Sequence, residues 1–134
     1  MSKCTYGVVI SSLFLICGGA VGQTTTTCGA TTTSAIADKI ANGHAWTEHG
    51  FEFVAGFDKG GLKMPTSPKV TTIAEFKAHI ILTMSSATNK VLLRNRKAYW
   101  YASTGTIVFH DANSAECGSA FRPDLGKPYY DSQT

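Results

Sequence analysis

The stretch Ala98-Tyr-Trp-Tyr-Ala-Ser-Thr-Gly-Thr-Ile-Val-Phe-His-Asp111 decides the fold. Residues 98–103 and 106–111 are rich in aromatic and β-branched side chains, and Ser103-Thr104-Gly105 supplies a short turn between them. That pattern predicts an antiparallel hairpin. Upstream, residues 91–93 read as another strand. Downstream, Gly118-Ser-Ala-Phe-Arg-Pro123 and Lys127-Pro-Tyr-Tyr-Asp131 can supply one or two more. Pro123 and Pro128 keep this edge from continuing as ladder. Before Asn89 the period is helical. Thr72-Ile-Ala-Glu75 matches a capping box, and Phe76, Ile80 and Met84 recur at helical spacing up to Ser85. Further back, Ser34 is a plausible N-cap for a helix through Ile36, Ile40, Ala41 and His44 that stops near Gly50. Residues 51–68, rich in glycine and holding two prolines, read as loop with Phe51, Phe53, Val54 and Phe57 tucked beneath. Helices first and strands after predict an α+β domain, N-terminal helices packed on a C-terminal antiparallel meander.

The N-terminus reads as a signal peptide over residues 1–22: Lys3, an apolar run from Val8 to Cys17, then Ala20-Val21-Gly22 before the cleavage point. The apolar run is shorter than the roughly 20 residues a membrane span needs. A secreted, extracellular chain of about 112 residues is expected, the 134 of the sequence less 22. Residues 23–33 form a Thr-rich extended arm, and residues 34–134 form one domain, expected to be monomeric. Cys4 and Cys17 leave with the signal. Cys28 and Cys117 then form a pair in an oxidising compartment, and a disulfide is expected. The rival reading is a nucleophilic Cys117 working with a histidine.

Charge is weakly informative, with 11 Lys and Arg against 9 Asp and Glu once Lys3 has gone. A net of about +2 is too low for a general polyanion binder. The basic charge is local, however. Lys90, Arg94, Arg96 and Lys97 fall beside Tyr99, Trp100 and Tyr101. Cations interleaved with flat rings suit single-stranded nucleic acid, with Arg94 and Lys97 meeting phosphates and Tyr99, Trp100 and Tyr129 stacking on bases. The bland alternative is a solvated basic turn entering an amphipathic strand.

Taken in order, Lys39-Ile-Ala-Asn-Gly-His-Ala-Trp-Thr-Glu-His49, a helix over 73–84, Ala98-Tyr-Trp, Thr104-Gly-Thr-Ile-Val108, Gly118-Ser-Ala-Phe-Arg-Pro123 and Tyr129-Tyr-Asp131 make a specific combination. It resembles the C-terminal toxin modules of bacterial contact-dependent-inhibition and Rhs-type polymorphic toxins, over about residues 35–131. The resemblance implies the barnase/EndoU/colicin/RelE-like ribonuclease fold, cleavage of RNA, tRNA among its targets, and an immunity-type inhibitor protein as partner. The chain departs from the pattern in two ways. Cys117-Gly-Ser-Ala-Phe121 stands where those modules tend to have Gly-Gly-Thr-Ala-Phe, and a signal peptide precedes the domain.

The chemistry can be argued from the residues. Metal-free RNA cleavage needs a base for the 2′-hydroxyl proton, an acid for the leaving 5′-oxygen, and donors for charge building on the phosphoryl oxygens. His44 and His49 are the candidates for proton transfer. They lie about 140° apart on an ideal helix, so sharing a cleft calls for the helix to end between them. Arg122 is expected to grip phosphate, Ser119 to hydrogen-bond a phosphate or base edge, and Tyr129 or Tyr130 to stack. His79, mid-helix, reads as a surface or half-buried residue, and His110 as a reserve. No zinc pattern or phosphate-cradling glycine loop occurs, so neither metal nor cofactor is expected. A catalytically inactive secreted binding protein on the same scaffold is the alternative.

Overall fold

The computed structural model describes residues 27–134, so the signal peptide and the start of the Thr-rich arm lie outside the described residues. Cys28 N–H donates to the Ala112 carbonyl at 3.1 Å, and the Cys28 sulfur is bonded to Cys117. The expected disulfide is present, which removes Cys117 as a nucleophile. It closes 89 residues of separation, an effect of about 4.6 kcal/mol on the chain-entropy account.

The first predicted helix divides in two. Helix α1 covers Thr33–Ala41, capped by Thr32 rather than Ser34: the Thr32 hydroxyl accepts from Ala35 N at 3.1 Å. The arm therefore ends one residue short of the expected 33. Asn42 and Gly43 interrupt the helix, and α2 resumes over His44–His49, running into a 3-10 turn at Gly50–Phe53. Residues 54–72 are mostly loop, with a two-residue hairpin of β1 (Asp58–Lys59) and β2 (Leu62–Lys63). Phe53 is buried there, but Phe51 and Val54 are exposed rather than tucked away. Helix α3, Ile73–Met84, carries its predicted cap: Thr72 Oγ1 accepts from Glu75 N, and Glu75 reaches back to Thr71 N at 2.8 Å.

The meander follows as β3 (Asn89–Leu92), β4 (Arg96–Tyr101), β5 (Thr106–Asp111) and β6 (Gly118–Phe121), all antiparallel in the order β3-β4-β5-β6. The fold is α+β. The last predicted strand is instead helix α4, Lys127–Asp131. Pro128 sits in its first turn, where a missing N–H costs nothing.

Side chains alternate across the sheet. Tyr99, Val108 and Ala120 share a row and face α1 and α3, packing with Ile36, Ile40, Phe53, Phe76 and Ile80 in the main core. Ala98, Trp100 and Ile107 point to the other face, where Tyr130 of α4 closes a smaller core. Beside it Phe109, Phe121 and Tyr129 remain partly open. This second face carries the site described below.

His79 is fully buried, against the expectation of a surface or half-buried residue. Its Nε2 meets Thr106 Oγ1 at 3.0 Å and Thr104 Oγ1 at 3.2 Å, and its Nδ1 has no partner. Burial, reinforced by the nearby Arg122 charge, pushes its pKa down from 6.5 to about 4. The unfolded chain thus takes up this proton before the folded one does. The stability tied to a neutral His79 is whole above pH 6.5 and is lost between 6.5 and about 4. The size of that loss is about 3 kcal/mol. Urea unfolding at pH 7 and pH 4.5 should show most of this drop in the wild type and little of it in His79→Gln; equal losses in the two proteins would contradict the assignment.

Candidate active site

The β5–β6 turn and the break between α1 and α2 build the site together. In the turn, Ser114 N and Cys117 N donate to the Asp111 and Ser114 carbonyls, and the Asp111 side chain accepts from Asn113 N. Cys117 follows with φ 66, and Gly118 with φ 133 presses against the Phe109 carbonyl, where any Cβ would collide. This backbone delivers Glu116 to the start of α2. Glu116 Oε1 accepts from His44 N at 3.1 Å and pairs with His44 Nδ1. The approach depends on Gly43, since a Cβ there would lie 2.6 Å from Glu116 Oε1.

A carboxylate accepts only, so His44 Nδ1 is the donor and Nε2 is the free basic nitrogen. Nε2 faces Ser119 Oγ at 3.4 Å. The order is hydroxyl, imidazole, carboxylate. Hydrogen bonds from the His44 ring and backbone hold the Glu116 carboxyl below the usual carboxylate range.

His49 repeats the arrangement. Its Nδ1 donates to Glu52 Oε1 at 2.8 Å, and Glu52 is buried. Lys59 Nζ adds a contact to the same oxygen at 3.1 Å and bridges to Asp124 at 3.2 Å. Burial works against the Lys59 charge, but these two carboxylates outweigh it and raise its pKa. The His49 ring packs on Phe121 at 5.1 Å between centroids, beside a cavity of about 350 Å³ that Tyr129, Asp124 and Lys59 also line.

The expectation that α2 must end between the two histidines is overturned, because the helix spans both. They reach one surface because α2 runs alongside β6. Five helical residues advance about 7.5 Å, and two strand residues about 6.6 Å. His44 therefore meets Ser119 while His49 meets Phe121, two places along the same face of β6. Phe109, paired with Ser119, and Tyr129, 5.7 Å from Phe121, extend this shelf.

Arg122 borders the same cavity as His49, but its guanidinium is turned into the fold and engaged by backbone carbonyls rather than held out for a phosphate. It is 1% exposed. Nε donates to the Thr104 carbonyl, Nη1 to those of Glu52 and Phe57, and Nη2 to that of Leu62, all within 3.0 Å. Its own N–H donates to Glu52 Oε2 at 2.7 Å. Burial lowers its pKa, with Glu52 and Asp58 opposing. As the second residue past Ala120, it follows the strand alternation inward.

The proposed binding row also divides. Tyr99 is buried in the main core and Trp100 in the smaller one, on opposite faces, so neither offers a ring to a base. Lys97 lies on the helix side over the Tyr99 ring at 5.3 Å, away from Ser119. Arg94 is exposed in the β3–β4 turn at φ 60, its carbonyl accepting from Asn113 of the site's own turn at 2.7 Å. Arg96, opposite Asp111, is one row beyond Phe109 and Ser119 on the open face. Tyr129 is part of the shelf. His110 is half-buried with its pKa lowered by burial, and its Nε2 lies 4.0 Å from Cys28 Sγ.

Sequence reading missed Glu52, Glu116, Phe109 and Phe121. His49 and Glu52 stand three apart, a spacing that could have paired them. Glu116 is 72 positions from His44 and carries no local signal. Compared with known proteins, the chain matches no family model, no curated protein and no solved structure.

The two roles now open for Arg122 separate experimentally. Arg122→Ala leaves four carbonyls, two of them fully buried, without their donor and removes the positive charge beside buried Glu52, and should cost at least about 3 kcal/mol. Urea melts and RNA affinity measured on the folded fraction check this. Normal stability with lost affinity would restore the phosphate grip.

Proposed function

We propose that this protein is a secreted endoribonuclease of toxin or effector type that cleaves RNA, tRNA among its targets, without a metal, by attack of the ribose 2′-oxygen on the adjacent phosphorus. The observation that carries the reading is the pair of histidine–carboxylate dyads ranged along one face of β6. Each Nδ1 is held by a carboxylate, leaving each Nε2 for proton transfer. One imidazole takes the 2′-hydroxyl proton as the new P–O bond forms. The other protonates the departing 5′-oxygen, giving a 2′,3′-cyclic phosphate and a free 5′-hydroxyl. Ser119, within reach of His44, donates to a phosphoryl oxygen as charge builds there. Phe109, Phe121 and Tyr129 offer apolar and aromatic surface for the bases, and Arg94 and Arg96 add positive charge at one end of the shelf.

Helices ahead of a four-stranded antiparallel meander are compatible with the barnase/EndoU/RelE-like fold that the sequence resemblance implies. A signal-like N-terminus and the Cys28–Cys117 disulfide support export to an oxidising compartment.

Incubating the oxidised protein with tRNA and rRNA in EDTA should yield discrete fragments bearing cyclic phosphate ends, with a pH profile falling on both sides of an optimum. His44→Ala and His49→Ala should each lower cleavage by about 10²-fold or more while RNA affinity of the folded protein is kept, with a loss of stability confined to His49→Ala, which takes a donor from buried Glu52. Intact RNA with retained binding would leave a binding protein instead. Wild-type cleavage in both variants would remove the active site from α2.

A further inference from the structure

We infer that the RNA strand continues past the two histidines, across Lys59, into a second cavity where Lys127 holds a flanking phosphate, so that the preferred substrate is longer than a dinucleotide. This rests on the ribonuclease reading and adds a binding subsite to it.

Lys59 lines two cavities. One, of about 350 Å³, holds His49, Phe121 and Tyr129; the other, of about 410 Å³, holds Trp100, Leu62, Thr88, Gly105 and Lys127. The second contains none of the proton-transfer groups. It opens on the same face of the sheet as the first, because Trp100 and Phe121 share a register row through Ile107. Its volume lies in the range of ligand-sized sites, and its lining combines apolar surface from Leu62 and Ala102, at the edge of the buried Trp100 ring, with Thr88. Gly105, at φ 62, and Gly60 and Gly126 line it without side chains.

The two cations differ in availability. Lys59 is clamped between buried Glu52 and Asp124, so it forms a charged wall rather than a free binding group. Lys127 Nζ meets Asp131 Oδ1 at 2.9 Å, but both side chains are about half exposed and stand i,i+4 on a five-residue helix. Such a surface pair is weak. An internucleotide phosphate carries one negative charge on two non-bridging oxygens, as a carboxylate does, and it competes for Lys127 because the surface pair holding that lysine is weak. A single strand lying on the Phe121–Tyr129 shelf therefore meets, beyond Lys59, a slot for one more nucleotide with a cation at its rim.

The test compares a dinucleotide with a hexanucleotide RNA, and a non-cleavable 2′-deoxy hexanucleotide for binding. Wild type should show a kcat/KM about tenfold higher on the hexanucleotide, and Lys127→Gln should lose that advantage while cleaving the dinucleotide normally. The slope of log affinity against log salt for the deoxy strand should fall by about 0.7 in Lys127→Gln. Lys63→Gln, an exposed lysine outside both cavities, should change neither. Equal use of short and long RNA by wild type, with an unaltered salt slope in Lys127→Gln, overturns the subsite and leaves the ribonuclease reading standing. No cleavage of either RNA, but deoxy-strand binding that depends on Lys127, overturns the ribonuclease reading and supports the subsite.

Discussion

Glu52 and Arg122 form the junction on which the site depends. Both are charged and both are buried. Neither could stay ionised there without partners, because removing an ion from water costs several kcal/mol. The Glu52 carboxylate is met by the His49 ring, the Lys59 ammonium and the Arg122 backbone N–H. The guanidinium in turn is satisfied by carbonyls from the 3-10 turn, the β1–β2 region and the β4–β5 turn. One pair of residues thus ties the end of β6 to three separate segments. It also fixes which way the His49 ring faces.

Much of the fold is legible because its signals are local. The Thr72–Glu75 cap and the Phe76, Ile80 repeat need only α3 itself, and the turn at residues 102–105 needs only the hairpin it joins. What fails is whatever depends on which face a residue takes. Tyr99 and Trp100 look like one aromatic patch as text, but neighbours on a strand point oppositely, and here both faces are covered. The same alternation carries Arg122 inward with Ala120. Tyr129 and Tyr130 read as strand by propensity, yet Pro128 ahead of them suits a helix start equally well.

Of the candidate site, the histidines and Ser119 are legible by residue type, and their partners are not. Glu116 becomes visible only once the disulfide, the β5–β6 turn and Gly43 have brought two distant segments together. The break after α1 illustrates the limit. Gly43 passes unmarked inside the predicted helix, whereas in the fold it clears the space through which a carboxylate reaches the next imidazole.

The two dyads differ in what supports them. The His44–Glu116 pair is nearly half exposed on both sides and is held by a turn whose anchor is Cys117. The His49–Glu52 pair has its carboxylate at 2% exposure, locked by charged neighbours. The first is therefore open to solvent. The second is rigid and aimed along an aromatic wall. For the proposed ribonuclease, one accessible and one preorganised imidazole would let a strand enter at the open end while the closed end keeps its geometry, and it is such orientation that would let the two side chains work as an acid–base pair.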